Sequence, residues 1–378
     1  MATPTNIDIE SPKKLTGVKA TGQRIPVGTT GDYKPCIARM PDGELLLVCF
    51  FPGQLEEGHN REEILLYRSS DDGFTWSRPE NLTAGHDVIG REPYFSILKD
   101  GTMFLTVTIL PKDVYNPYDF GASLLHRSDD AGRTWTTTTA HPQDSGKING
   151  QVSTTRNVLP LPDGSLLFGL SDVGQDRSFM WRSTDGGKSW KQYKSKIEEL
   201  DPTYPYPFLG EAVFWLGGNG TIYLFDRIDS HYAGRFKTEV PQDKFGRVDN
   251  MDRLIIYTST DEGRTFTPHQ AVGDIGEMYP ALLRLADGQL LVTFTVRSNH
   301  DQLGVRAVLG QETQDDLLID LEHDRFLLDP NTPPQVYSGG GFGNTVQVAD
   351  GTLVTSYSWR DSEFLVHSEV LRWRLPDA

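Results

Sequence analysis

Short apolar runs rich in β-branched and aromatic residues recur along the chain, each cut by a small polar turn. The stretch LGEAVFWLGGNGTIYLFDRID, Leu209 to Asp229, is typical: two apolar runs flank a Gly-Asn-Gly reversal. Runs of that length and composition, split by turn residues, predict β-hairpins, and helical periodicity is nearly absent. Six such reversals line up: PDGELLLV, KDGTMFLT, PDGSLLFG, GNGTIYLF, ADGQLLVT and ADGTLVTS. Their turn residues are Asp42, Asp100, Asp163, Asn219, Asp287 and Asp350, spaced by 58, 63, 56, 68 and 63 residues. Asp-Gly and Asn-Gly suit tight hairpin turns that need positive φ angles.

A second element lies between the hairpins. SSDDGFTW, SDDAGRTW, STDGGKSW and STDEGRTF, starting at Ser69, Ser128, Ser183 and Ser259, all fit Ser-x-Asp-x-Gly-x-Ser/Thr-aromatic. In such a turn the aspartate caps backbone N–H groups, the glycine takes the left-handed angle, and the aromatic fills a gap between sheets. Two hairpins per period make four antiparallel strands, and six such units predict an all-β, six-bladed β-propeller. No linker or composition shift interrupts it, so residues 1–378 read as one domain. The segment of residues 14–25 is expected to add the outer strand of the last blade.

Composition narrows the function classes. A formal charge of −16 argues against nucleic acid and against anionic membranes as partners. No apolar run approaches the ~20 residues of a membrane span, and the first residues lack a signal core. The chain as given therefore reads as cytoplasmic, or as secreted with its signal removed. Cys36 and Cys49, the two cysteines, would face each other if Asp42-Gly43 were a two-residue turn; two buried thiols are the expectation. Asn81 and Asn219 open glycosylation sequons and equally suit turns. No serine elbow, HExxH pair or cysteine cluster is present, and the Gly-rich SGGGFG lacks the features of a phosphate loop. No cofactor or metal is expected.

Candidate chemistry follows from the hairpin register. Counting eight positions back from each turn gives Lys34, Glu92, Thr155, Glu211, Tyr279 and Phe342, one from each hairpin. Arg91, Arg156, Glu277 and Asn344 lie beside them, and Asp172, Asp226, Arg227, Arg297 and Arg360 end the second strands. These positions share one depth, at the open ends of the hairpins. Charge is expensive in strand cores, so such a ring must be paired, solvated by a cavity, or built for a ligand. Glu211 with Arg227, taken alone, is also what an ordinary salt bridge at a strand end looks like.

The four aspartate boxes and the six-hairpin rhythm, running from Asp32 to about Leu375, resemble the sialidase superfamily of six-bladed propellers. The resemblance implies a carboxylate-binding arginine triad, a glutamate–tyrosine pair and an acidic loop residue. In DYKPCIARMPDG, Lys34 stands where the first arginine is expected. Arg227, 16 residues after Glu211, matches the second arginine and its catalytic glutamate, and Arg297, 70 residues further on, matches the third. The tyrosine nucleophile belongs in the sixth blade, where SGGGFGNTVQVADG offers only Phe342. Tyr279, in GEMYP, sits at the same level in the fifth blade, either as a relocated partner of Glu211 or as an aromatic lining a subsite. The family's acidic loop corresponds to FFPGQLEEGHNREEI, where Glu57 and His59 are the candidates for general acid.

Taken together these features point to an exo-acting glycoside hydrolase acting on a terminal, carboxylated sugar of a glycan. Lys34, Arg227 and Arg297 would bind the carboxylate, while Arg91, Glu92, Arg156, Phe342 and Asn344 would line the subsite. A lyase acting on a uronate and a glycan-binding propeller without turnover are the alternatives.

Overall fold

Every Asp-Gly or Asn-Gly reversal closes an antiparallel hairpin in the computed structural model. The structure describes residues 5–9, 20–54, 60–83, 88–111, 122–140, 152–172, 177–198, 211–228, 253–274, 276–297, 303–321, 325–328, 332–333, 336, 341 and 343–376. The six hairpins pair Tyr33–Arg39 with Leu45–Gln54, Val88–Ile97 with Met103–Pro111, and Leu159–Pro160 with Leu166–Asp172. Val213–Leu216 with Ile222–Ile228, Glu277–Arg284 with Leu290–Val296, and Thr345–Gln347 with Leu353–Arg360 complete them.

The turns differ from the expected two-residue type. In the first, Gly43 N–H donates to Met40 O at 2.9 Å and Met40 N–H to Glu44 O at 2.8 Å. Only the glycine is left-handed, with φ between 82° and 97° in all six turns. This is a type I turn followed by a glycine bulge, with the aspartate or asparagine oxygen accepting the N–H two residues on. Asn219 is thus a turn residue, and Asn81 likewise accepts from Thr83 N–H at 2.9 Å. One extra turn residue moves the register by one, and a shift of one turns a side chain to the other face. So Cys36 opposes Val48 rather than Cys49, the two cysteines enter different core clusters, and both are free and buried.

The described strands form an all-β fold in a propeller arrangement, with five hydrogen-bonded sheets. Four sheets hold one hairpin each. The nine-stranded sheet holds the third and fourth together, because Lys191–Ile197 runs parallel to Thr265–Val272 and joins two antiparallel groups. The strand Ala20–Val27 lies antiparallel to Val366–Trp373 in the sheet of the sixth hairpin, and Thr5–Ile9 adds at its edge. Arg24 fastens it with a two-pronged fork to Glu369, both contacts at 3.0 Å. Residues 14–19 of the expected closing segment lie outside the described residues.

The Ser-x-Asp-x-Gly turns lock neighbouring sheets together. In each, the serine hydroxyl donates to the aspartate at 2.8 Å, and the aspartate accepts the N–H of the Ser/Thr at 2.8–2.9 Å. Two successive left-handed residues let the backbone approach the preceding sheet: a Cβ on Gly187 would meet the Phe104 ring at 2.4 Å. An arginine from the preceding sheet, or for the fourth turn from the other half of the nine-stranded sheet, then grips the turn. Arg68 donates to Ala131 O and Gly132 O at 2.9 and 3.2 Å, Arg127 to Gly186 O at 2.7 Å, and Arg182 to Glu262 at 2.6 Å. Arg372 does the same to Asp72 O. The equivalent position before the fifth hairpin is Thr258, and the fifth repeat carries no such turn. The architecture thus leaves the opposite, open ends of the hairpins clear of these locks.

Candidate active site

Eight residues back from each turn, the chain leaves the regular strand. Lys34, Glu92, Glu211 and Tyr279 have φ of 49°, 52°, 57° and 57°. The first, second and fifth hairpins also shift register there, between Tyr33 and Cys36, Arg91 and Tyr94, and Met278 and Ala281. Left-handed backbone is costly for residues other than glycine, on the order of 1–3 kcal/mol each, and bulges re-aim side chains. Four matched departures on four hairpins re-aim four side chains at the open ends.

Three cations meet at the Tyr279 hydroxyl. Arg227 Nη1 donates to it at 3.0 Å, Arg297 Nη1 at 3.1 Å and Lys34 Nζ at 3.4 Å. The cations come from the fourth, fifth and first hairpins, and the structure brings the three to one oxygen. Arg156, from the third, lies over the Tyr279 ring at 5.3 Å, and Lys34 Nζ lies over it at 4.8 Å. Tyr279 is only 1% exposed and forms the floor of the cluster.

Two carboxylates answer these cations. Glu211 contacts Arg227 Nη1 closely and Arg156 Nη2 at 3.2 Å, while Glu92 contacts Lys34 closely and Arg156 Nη2 at 3.7 Å. Lys34, Arg156, Arg227 and Arg297 against Glu92 and Glu211 leave positive charge in excess within this group. Burial would raise the Glu211 carboxyl, but Arg227, Arg156 and Lys34 outweigh it and hold it well below the usual carboxylate range. Burial would lower the Lys34 ammonium, and Glu92 above all holds it higher. For Tyr279 burial wins, keeping the phenol above its ordinary range against Arg227, Lys34 and Arg297.

The other ring positions divide. Thr155 is buried and uses its hydroxyl to accept Gly169 N–H at 3.0 Å, closing its hairpin. Glu277 is fully buried, bound to Arg325 at 2.6 Å and to Asp274 N–H at 2.8 Å, a structural role. Asn344 is half-buried and its backbone carbonyl accepts Ser356 N–H at 2.9 Å, and Arg91 lies over the Phe50 ring at 5.8 Å. Glu57, His59 and Phe342 lie outside the described residues.

One further residue at the open ends escapes the residue count. Tyr33 begins the first hairpin, paired with Phe50 at its open end, and is half-buried. Its ring meets Phe50 edge-on at 5.2 Å, with Arg360 over it at 5.5 Å and Lys34 Nζ at 5.7 Å. Read as sequence it is an ordinary strand aromatic; only its place beside Lys34 marks it.

Residues 29–207 match the BNR repeat-like domain family. No curated protein matches the chain. A Dyadobacter fermentans protein of unknown function aligns with a TM-score of 0.68 at 17% identity, covering 99% of this chain and all, 100%, of that one. The Hadza microbial sialidase Hz136 aligns at 0.61 and 16%, over 91% of this chain and 65% of its own. A Penicillium chrysogenum α-L-arabinanase complexed with arabinobiose aligns at 0.58 and 17%, over 98% of both chains. At these identities the likeness is one of fold.

Proposed function

We propose that this protein is an exo-acting glycoside hydrolase that removes a terminal, carboxylated sugar, built as one six-bladed propeller. Counting the nine-stranded sheet as two blades supports the blade number, since each of its halves carries its own inner hairpin. The observation that carries the function is the convergence of Lys34, Arg227 and Arg297 on a single oxygen position. Cations aimed at one point are what a carboxylate requires, each charge-assisted bond contributing ~1.5–3 kcal/mol. Lysine at the first position keeps the charge and gives up the planar fork.

Glu211 and Tyr279 form the proposed reacting pair, since Arg227 Nη1 touches both. Glu211, held as a carboxylate, offers the negative charge that stabilises an oxocarbenium-like transition state. Arg156 and Glu92 would bind the remaining hydroxyls, with Arg91 and Asn344 at the periphery. Fold analogues that act on sialosides and on arabinan agree with carbohydrate chemistry and do not choose between sugars.

A lyase is the second reading, favoured by phenols set among cations: the cations would neutralise a uronate carboxylate and a tyrosine would take the adjacent proton. Incubation with sialosides, uronate-capped oligosaccharides and neutral aryl glycosides separates the cases. Release of a saturated acidic monosaccharide supports the hydrolase. An ultraviolet-absorbing unsaturated product would establish the lyase, and saturable binding with no product would establish a glycan-binding propeller.

A further inference from the structure

Among the described residues the hydrolase reading leaves one role unfilled. A departing alkoxide needs a proton, and Glu211 is held ionised while Tyr279 lies at the floor. We propose that Tyr33 is the general acid that protonates the oxygen leaving the sugar. This rests on the hydrolase reading.

Position is the first argument. Tyr33 occupies the outermost described pair of the first hairpin's open end, opposite Phe50, and is partly exposed where Tyr279 is not. A phenol at the rim and a phenol at the floor can address opposite sides of a sugar held between them. Phe50, edge-on at 5.2 Å, restricts the ring before substrate arrives.

The second argument is charge. The groups facing Tyr33 are Lys34 on its own strand, Glu92 from the second hairpin, Arg297 from the fifth and Arg360 from the sixth. Burial alone would raise the phenol, but Lys34, then Arg297 and Arg360, outweigh both it and Glu92, so Tyr33 lies below the ordinary phenol range. Tyr279 moves the other way. A general acid works best when its pKa lies close to the working pH, and the downward shift moves the Tyr33 phenol in that direction.

The step balances. As the glycosidic C–O bond breaks, the Tyr33 O–H proton passes to the departing oxygen, and the cations offset the phenolate that remains. Water then adds its oxygen to the sugar carbon and returns a proton to Tyr33, so hydrolysis is the net change.

The test compares wild type with Tyr33→Phe on methyl and 2,4-dinitrophenyl glycosides of N-acetylneuraminic acid and glucuronic acid. Loss of a general acid lowers turnover on the order of 10²–10⁴-fold where the leaving group needs a proton. The expected result is such a loss on the methyl glycoside and a far smaller one on the dinitrophenyl glycoside. In parallel, tyrosinate absorbance during alkaline titration should lose a step below the ordinary phenol range in Tyr33→Phe. Equal losses on both leaving groups, or a variant matching an active wild type in rate and titration, overturn the proposal. A wild type inactive on every glycoside instead overturns the hydrolase reading itself.

Discussion

Arg227 Nη1 donates to the Tyr279 hydroxyl at 3.0 Å while the same nitrogen closes on the Glu211 carboxylate. A single guanidinium thus joins a carboxylate of the fourth hairpin to a phenol of the fifth. Both partners stand on left-handed backbone, with φ of 57° at each. The strain is carried where the side chains must meet, as expected of a functional site.

Arg297 is the cleanest probe of carboxylate binding, because its contact with Tyr279 at 3.1 Å is to a neutral oxygen. Replacing Arg297 by Ala should raise KM for an acidic glycoside roughly ten- to 150-fold, matching the loss of ~1.5–3 kcal/mol. A neutral analogue should be unaffected. Steady-state kinetics on the matched pair checks this.

Glu211 links the site to acid stability. Burial opposes its ionisation, yet Arg227, Arg156 and Lys34 hold its folded-state pKa below the unfolded value of about 4.3. A depressed pKa contributes stability above the unfolded value, and that contribution is lost as pH falls through the folded one. Glu211→Gln should therefore be less stable than wild type near neutrality, with the gap narrowing below about pH 4. Urea midpoints measured across that range give the comparison; a constant gap would contradict the assignment.

Two adjacent glycines separate steric contact from backbone strain. Gly186 and Gly187 are both left-handed, at φ of 71° and 83°. A Cβ on Gly186 meets nothing within 4 Å, whereas one on Gly187 meets the Phe104 ring at 2.4 Å. Gly186→Ala should cost about 1 kcal/mol of stability and Gly187→Ala about 2–4, the second adding overpacking to strain. Equal costs in denaturant unfolding would remove the sheet-to-sheet contact from the explanation.

The arginine grip should be measurable as well. Arg68→Ala removes donors to Ala131 O and Gly132 O, and should cost about 1–3 kcal/mol. Arg133→Ala, which removes an exposed contact to Asp130 O within its own turn, should stay within about 0.5 kcal/mol.

Much of this architecture is legible in the amino-acid sequence, for a physical reason. A repeat imposes the same backbone on each copy, so a fixed offset from the Asp-Gly turn finds all four left-handed ring residues. The offset locates them without showing why, since a bulge leaves no residue signature. Glu277, two places from the counted Tyr279, is drawn in with it, yet its partner Arg325 lies 48 residues on, a pairing no local pattern reveals. Tyr33 escapes the offset because strand aromatics normally pack in cores, and its cations arrive from two other hairpins. The arginine grip does have a signal: Arg68, Arg127 and Arg182 each precede the serine of the turn motif. The joining of Lys191–Ile197 to Thr265–Val272 depends on how neighbouring outer strands meet, which periodicity does not encode.

The central claim is that Lys34, Arg227 and Arg297 recognise a sugar carboxylate. Calorimetric titration with N-acetylneuraminic acid and glucuronic acid, each against its uncharged methyl ester, tests it directly. The account predicts that at least one acid binds, that its ester binds ten-fold or more weakly (a difference of ~1.4 kcal/mol or more), and that Arg297→Ala removes the preference. Binding of an ester as tightly as its acid, or no binding of either acid, would contradict it.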